Sequence, residues 1–414
     1  MEIKAILNKL KKKQKLTKEE IKFFVDGYVN GKISREEMTE FIKLIYKNGL
    51  TDNEIFDLTD VMTNSGEVLS FSGGVFCDKH STGGVSDSTT LIVMPIIALS
   101  GLKFLKMSGK KLGFTGGTID KIEQFDGYNS EILIKEAEKL TKKNGACLLA
   151  QTKDLAPADK VMYKLRDETG YVNSLPLIAS SIMCKKLASG ADVIVLDVKC
   201  GSGAFMKTIE DATKLAEIMV KIGKNAGKKI CAIVSDMNQP LGSNVGSLME
   251  TIDAIEVLEG KDGRLKDLSI LLAAKIIEIG KNITFEKAKA EAFNYLNSGL
   301  ALEKLKQIVK AQGGSLDLFN KEIRQKIYKN SYSIKALKDG YLTKINTEKL
   351  GEFNRIYCAE GNAGMSVNKK IGDKIKKGEN LLTFYGNKTD LDFLSLFEIS
   401  NKQVENPLIY KIIV

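Results

Sequence analysis

Tryptophan is absent from the 414 residues, histidine occurs once, and the six cysteines include no CxxC pair. One imidazole and scattered thiols (Cys77, Cys147, Cys184, Cys200, Cys231, Cys358) cannot assemble the usual ligand sets of a transition metal. Most of those thiols sit in apolar runs such as CLLA and CAIV, which points to buried reduced cysteines rather than a disulfide framework. No apolar run reaches the roughly 18 residues needed to span a bilayer. The opening stretch MEIKAILNKLKKKQKLTKEE is a lysine-rich amphipathic helix without the apolar core or cleavage site of a secretory signal, so a cytoplasmic location is expected. Lysines dispersed among glutamates, with no RNP-like aromatic motif, argue against nucleic-acid binding despite a formal net charge of +10. That surplus suits the attraction of small anions. A GxxxxGK[ST] loop, a periodic repeat and a low-complexity linker are all missing.

What is there divides into three textures, as the length of the chain leads one to expect. Residues 1–65 read as four short helices, three of them opened by capping boxes at Thr17–Glu20, Ser34–Glu37 and Thr51–Glu54. From residue 66, short apolar runs (LKFLKM, ACLLA, ADVIVLDV, KKICAIVSDM) alternate with amphipathic helices near 130–143 and 208–225. Such alternation marks a mostly parallel sheet covered by helices. Two helical stretches over 158–190, ADKVMYKLRDE and SLPLIASSIMCKKLAS, interrupt it and are expected to pack with the N-terminal helices. The expected fold is therefore α/β: a discontinuous helical domain (1–65 and 158–190), a larger α/β domain (66–157 and 191–330), and a C-terminal α+β domain (335–414). In that last part GYLTKIN, RIYCAEG and NLLTFYG read as strands of a β-barrel or hammerhead-like unit.

Glycine clusters fall at the expected strand ends, where open α/β sheets bind ligands. The segment Asp78-Lys79-His80-Ser81-Thr82-Gly83-Gly84 brings a cation, the only imidazole, two hydroxyls and a permissive backbone into one short loop. Adjacent glycines let amide N–H groups approach an oxyanion, and a following helix start adds a favourable dipole. A second loop, Ser108 to Thr118, repeats this chemistry, so the pair reads as a phosphate cradle. Gly201-Ser202-Gly203 lacks the third glycine of a dinucleotide fingerprint and reads as a turn of close strand–helix packing.

Six segments together resemble the thymidine and pyrimidine-nucleoside phosphorylase family: DKHSTGGVSD (78–87), KMSGKKLGFTGGTIDKIE (106–123), QTKDLAPADK (151–160), RDETGYVNSLPLIASSIMCKK (166–186), VLDVKCGSGAFMK (195–207) and SDMNQPLG (235–242). The resemblance spans essentially the whole chain. It implies reversible phosphorolysis of pyrimidine nucleosides (uridine, thymidine or deoxyuridine) by a homodimer joined through the helical domain, with phosphate as co-substrate and no cofactor required. It further implies that Lys79, Ser81, Thr90, Lys106, Ser108 and Thr118 hold phosphate. His80, Arg166, Ser181 and Lys185 would bind the pyrimidine, and Leu112, Tyr163 and Ile178 would pack around it. Ser86, Ser88, Leu241, Asn244 and Asp253 correspond to a structural potassium site of some bacterial members.

In such a reaction the phosphate is already an anionic nucleophile, so the demanding task is to stabilise charge on the departing pyrimidine. Arg166, Lys185 and a protonated or hydrogen-bonding His80 would do so. The chain departs from the family pattern at Ser86, Lys110, Lys111, Phe114 and Gly170-Tyr171, all near the expected cleft. The extra Lys111, able to meet an additional phosphate, motivates a second reading, a nucleotide phosphorylase or phosphoribosyltransferase of the same fold; a reading of a different class is a catalytically weak nucleoside-binding relative.

Overall fold

The N-terminal helices begin where the capping boxes put them. A computed structural model describes residues 1–110, 116–152 and 154–414. In it, α1 (Ile3–Lys11), α2 (Lys18–Val29), α3 (Arg35–Asn48) and α4 (Asp52–Thr63) form a bundle. Thr17, Ser34 and Thr51 each accept the N3 amide while Glu20, Glu37 and Glu54 return to the cap. The bundle core includes Phe24 stacked on Phe41, with ring centroids 4.4 Å apart. The same core takes in Met162 and Leu165 from the 158–190 region, and Leu177 and Cys184 beyond them.

The apolar runs form a six-stranded sheet. Its parallel strands are β1 (Phe76–Ser81), β2 (Lys103–Ser108), β3 (Ala146–Ala150), β4 (Val193–Cys200) and β5 (Lys229–Asp236). Their order across the sheet is β5-β4-β1-β2-β3, and the last strand of the chain, Ile409–Ile413, adds antiparallel to β5. The chain end thus leaves the C-terminal stretch and completes the sheet of the preceding one. Complete burial of β4 explains why VIVLDVKC is mostly apolar without alternation, since a strand covered on both faces needs none.

Two local expectations need correction. Asp78-Lys79-His80-Ser81 is not loop but the carboxyl-terminal part of β1, in register from Cys77–Val193 to Ser81–Asp197 against β4. Charged residues hid this strand, which lies centrally and partners their charges internally. RIYCAEG is not a strand: most of it is the end of the helix Thr347–Ala359, where Leu350 and Tyr357, two turns apart, are both buried.

Beyond β1 the helix α5 (Thr89–Leu99) is buried almost throughout. Then follow α6 (Thr118–Ile122), α7 (Ile134–Asn144), α8 (Pro157–Thr169) and α9 (Leu175–Ala188). A Thr59 to Ser180 hydroxyl hydrogen bond (3.0 Å) joins α4 to α9. The C-terminal stretch folds into two open antiparallel sheets of three and four strands around the Thr347–Ala359 helix. One of those strands is Asn244–Val245, lent by the segment after β5.

Candidate active site

Strands β1 and β2 end side by side, and α8 and α9 face their ends across a cavity of about 280 Å³. Lys79, His80, Ser81, Thr90, Lys106, Ser108 and Thr118 line it from the sheet side. Tyr163, Arg166, Ile178, Ser181 and Lys185 line it from α8 and α9. The cavity thus gathers residues more than a hundred positions apart. Leu112, with Lys111 and Phe114, lies outside the described residues. Ser86, Ser88, Leu241, Asn244 and Asp253 are not on the cavity wall.

Beneath the sheet side runs a buried charge network. Lys79 Nζ donates to Thr89 Oγ1 at 2.5 Å and stands 3.8 Å from both Asp87 Oδ1 and Asp197 Oδ2. Lys199 lies 2.7 Å from Asp197 Oδ2, and Lys121 pairs with Glu250 at 2.7 Å while donating to the Asp87 carbonyl. On the next face, Asp78 sits between Lys106 (3.4 Å) and Lys186 (2.7 Å). Five buried lysines therefore meet four carboxylates (Asp78, Asp87, Asp197 and Glu250). The cation surplus sits where an anion would be welcomed. Lys121, Lys186, Lys199, Asp87 and Asp197 were inside the quoted motifs, yet sequence alone assigned them no task. For Lys121, Lys186, Lys199 and Asp197 the signal was a charge inside a strand or helix that is largely buried, which needs a partner, whereas Asp87 lies in the loop before α5.

The ionisation states follow from burial and neighbours. Burial opposes the charge on Asp78, but Lys106 and Lys186 outweigh it and hold that carboxyl below the usual range. Burial also opposes charge on Asp87, and Lys199, Lys79 and Lys121 hold it well below. The Lys106 ammonium is pushed down to about 7, chiefly by burial. His80 is lowered well below ordinary histidine, first by burial and then by Lys186, Lys106, Lys185 and Lys79. The imidazole is therefore neutral at pH 7, which removes the protonated alternative and leaves it as a hydrogen-bonding group. Its Nε2 is sealed from solvent and meets no hydrogen-bond partner among the described residues.

Not every hydroxyl at the site is idle. Ser81 Oγ donates to Asp87 Oδ2 at 2.6 Å and accepts from the Gly83 amide. Gly83 has φ +95°, a backbone state open to glycine, which turns the chain from β1 toward the α5 amides. Across the cleft, Arg166 is buried and donates to the carbonyls of Tyr171 (3.3 Å), Val172 (2.6 Å) and Leu177 (3.1 Å). It thereby fixes the turn between α8 and α9. Lys185 pairs with Asp159 at 2.5 Å, and this carboxylate more than offsets burial, so the ammonium holds its proton more firmly than ordinary lysine.

The departures that fall among the described residues are accommodated. Gly170 ends α8 at φ +78°, and Tyr171 packs on Tyr46 with centroids 5.4 Å apart. Lys110 pairs with Glu123 at 3.2 Å. Ser86 takes the left-handed backbone, φ +61°, unusual for a residue with a side chain. The Gly201–Gly203 turn is a site of close approach, but not to a helix behind its own strand. A side chain at Gly201 would lie 2.5 Å from the Asn238 amide nitrogen, and one at Gly203 would strike Thr347.

Comparison with known proteins gives concordant matches. Residues 4–66 match the glycosyl transferase family, helical bundle domain, and residues 73–302 the glycosyl transferase family, α/β domain. The chain is 44% identical, over 99% of both sequences, to a pyrimidine-nucleoside phosphorylase of Staphylococcus aureus strain MSSA476. It is 43% identical to that of the bovine strain RF122 / ET3-1, over 99% of this chain and 98% of the other. Among solved structures, anthranilate phosphoribosyltransferase from Thermus thermophilus shares the fold with a TM-score of 0.60 and 17% identity. That match covers 74% of this chain and 99% of the other.

Proposed function

The chain belongs to the family of pyrimidine-nucleoside phosphorylases, within the glycosyl transferases, and on that premise we propose that it catalyses reversible phosphorolysis of uridine, thymidine or deoxyuridine. The observation that carries the reading is the single cleft between the cation-rich ends of β1 and β2 and the Arg166–Lys185 face.

Phosphate is the co-substrate, and it occupies the sheet side, received by Lys79, Ser81, Ser108, Thr90 and Thr118. Lys106 acts chiefly through its charge, because its ammonium already donates to the Lys79 carbonyl. The pyrimidine lies toward α8 and α9. A phosphate oxygen attacks C1′ as the glycosidic C–N bond breaks; the electron pair of that bond leaves on the pyrimidine. The proton of hydrogen phosphate finishes on the free base, so the equation balances without a redox partner. Lys185 and Arg166 stabilise the developing charge, Ser181 orients the ring, and neutral His80 supplies a hydrogen bond from within the cleft. Tyr163 and Ile178 give the base an apolar wall. Holding both substrates in line removes much of the entropic cost of the encounter.

A homodimer joined through the helical bundle and a cytoplasmic location belong to the same proposal. No helix among the described residues is long and apolar enough to cross a membrane. Purified protein is expected to release free base from one or more of the three nucleosides only when phosphate is present. Absence of release from all three, or release independent of phosphate, would overturn the reading. Light scattering of the same sample tests the dimer.

A further inference from the structure

The family resemblance implies a potassium ion among Ser86, Ser88, Leu241, Asn244 and Asp253, and the side chains present do not fit one. They lie together: a Cβ on Gly242 would stand 2.2 Å from Asp253 Oδ2 and 2.7 Å from Ser86 Oγ. Their oxygen atoms, however, are largely engaged. Asp253 Oδ2 accepts the amides of Ser243 (2.8 Å) and Asn244 (3.2 Å), and Oδ1 accepts Lys261 Nζ at 2.7 Å. The carbonyl of Asn244 accepts the Ser86 hydroxyl, and its side-chain oxygen accepts Ser366. Among the side-chain oxygen atoms of that set, only the Ser88 hydroxyl is buried without a hydrogen-bond partner among the described residues.

A positive charge is already seated there. Lys261 bridges Asp253 and Glu256 (2.8 Å). A second ammonium, Lys370, donates to the carbonyls of Pro240 (2.8 Å) and Gly242 (2.6 Å), clasping the same loop from the C-terminal stretch. A potassium ion added beside Asp253 would meet an ammonium on the same carboxylate and would have to displace the Ser86 hydroxyl from the Asn244 carbonyl. Ser86 holds its left-handed backbone with that hydroxyl bond and with its own carbonyl accepting the Gly242 amide (3.1 Å).

We propose that the cradle between the 83–88 loop, the 239–245 loop and the helix Ser247–Leu258 is closed by the protein's own cation, Lys261 on Asp253, with the Ser86 hydroxyl on Asn244, and takes no potassium. The consequence concerns the phosphate loop. Ser86 stands between Gly84 and Asp87, so the anchor that sets the far end of that loop is covalently part of the chain and independent of the ionic medium.

The test is the melting temperature of the full chain in potassium, sodium and tetramethylammonium chloride at equal ionic strength, a readout separate from nucleoside turnover. Wild type is expected to melt at one temperature in all three salts. A saturable rise of a few degrees in potassium alone, the mark of an ion bound to the native state, would overturn the proposal. Lys261→Met leaves Asp253 without its cation and is expected to melt several degrees lower in tetramethylammonium. Lys261→Arg, which keeps the charge, should melt close to wild type and ignore potassium. Ser86→Gly/Lys261→Met frees the oxygen atoms and should gain a potassium-specific rise. Wild-type melting of Lys261→Met, or a double variant indifferent to potassium, counts against the assignment.

Discussion

Lys185 Nζ lies 2.5 Å from Asp159 Oδ2, so the cation that faces the cleft from the last turn of α9 is held by the first turn of α8. The pair sets both the position and the proton affinity of Lys185. Asp159→Asn keeps the shape and removes the charge. It is expected to lower kcat/KM for the nucleoside about tenfold, the worth of one charge-assisted hydrogen bond. The alkaline limb of the pH profile should move down, since Lys185 then gives up its proton earlier. Steady-state kinetics with each substrate varied checks this, and an equal loss of phosphate affinity would contradict the role.

His80 reaches the same cleft in a neutral state. Replacing it with alanine is expected to cost about 100-fold in kcat, the scale of removing one donor from a preorganised site. The acid limb of wild-type kcat should show no inflection near the ordinary histidine pKa, about 6.5. A clear inflection there that vanishes in His80→Gln would contradict the neutral assignment.

The same depressed pKa makes a stability statement. Below about pH 6.5 the unfolded imidazole binds a proton that the native one refuses. His80 therefore contributes stability that is present above that pH and is lost as the pH falls toward its folded value. Thermal melts of wild type and His80→Gln from neutral to acidic pH should converge as the solution becomes more acidic. A constant gap would show that the imidazole titrates alike in both states.

Lys106, buried on the proposed phosphate side, has its pKa lowered to about 7. Raising the pH through neutrality is expected to increase KM for phosphate about threefold to tenfold once phosphate's own ionisation is allowed for, as one nearby charge disappears. In Lys106→Met the constant should be high throughout and lose this pH dependence. An unchanged profile in the variant would assign the effect elsewhere.

Gly201 has φ +134° and its missing Cβ would lie 2.5 Å from the backbone nitrogen of Asn238. Gly201→Ala is expected to destabilise the fold by about 2 kcal/mol or more, combining backbone strain with a clash that no side chain can relieve. Gly170→Ala has no neighbour within 4 Å and carries only the strain of φ +78°. Its cost should be about 1 kcal/mol. Denaturant melts of the two variants compare them directly, and equal losses would show that the close approach is slack.

Much of the architecture is written locally. Three capping boxes start three helices because each needs only residues three apart. Four apolar runs become β2 to β5 because a strand buried on both faces is apolar along most of its length. The glycine clusters that read as an anion cradle lie beyond the ends of β1 and β2, on the wall of a cavity that also takes in Arg166 and Lys185. β1 was illegible for the opposite reason: its charges are tolerable only beside Lys106, Lys186 and Asp197, which lie far along the chain. Tyr, Ile and Cys in RIYCAEG favour a strand, yet the faces available to Leu350 and Tyr357 made it helix.

By itself, then, the sequence determined the kind of most elements, β1 and the Thr347–Ala359 helix apart, together with their order and the chemistry collected in its motifs. Tertiary structure alone decided which lysines are buried, which carboxylates hold them, that His80 is neutral, and that Lys261 sits on Asp253. The physical reason is that propensity and capping act over a few residues, whereas burial and charge pairing are set by what the folded chain brings within a few ångströms.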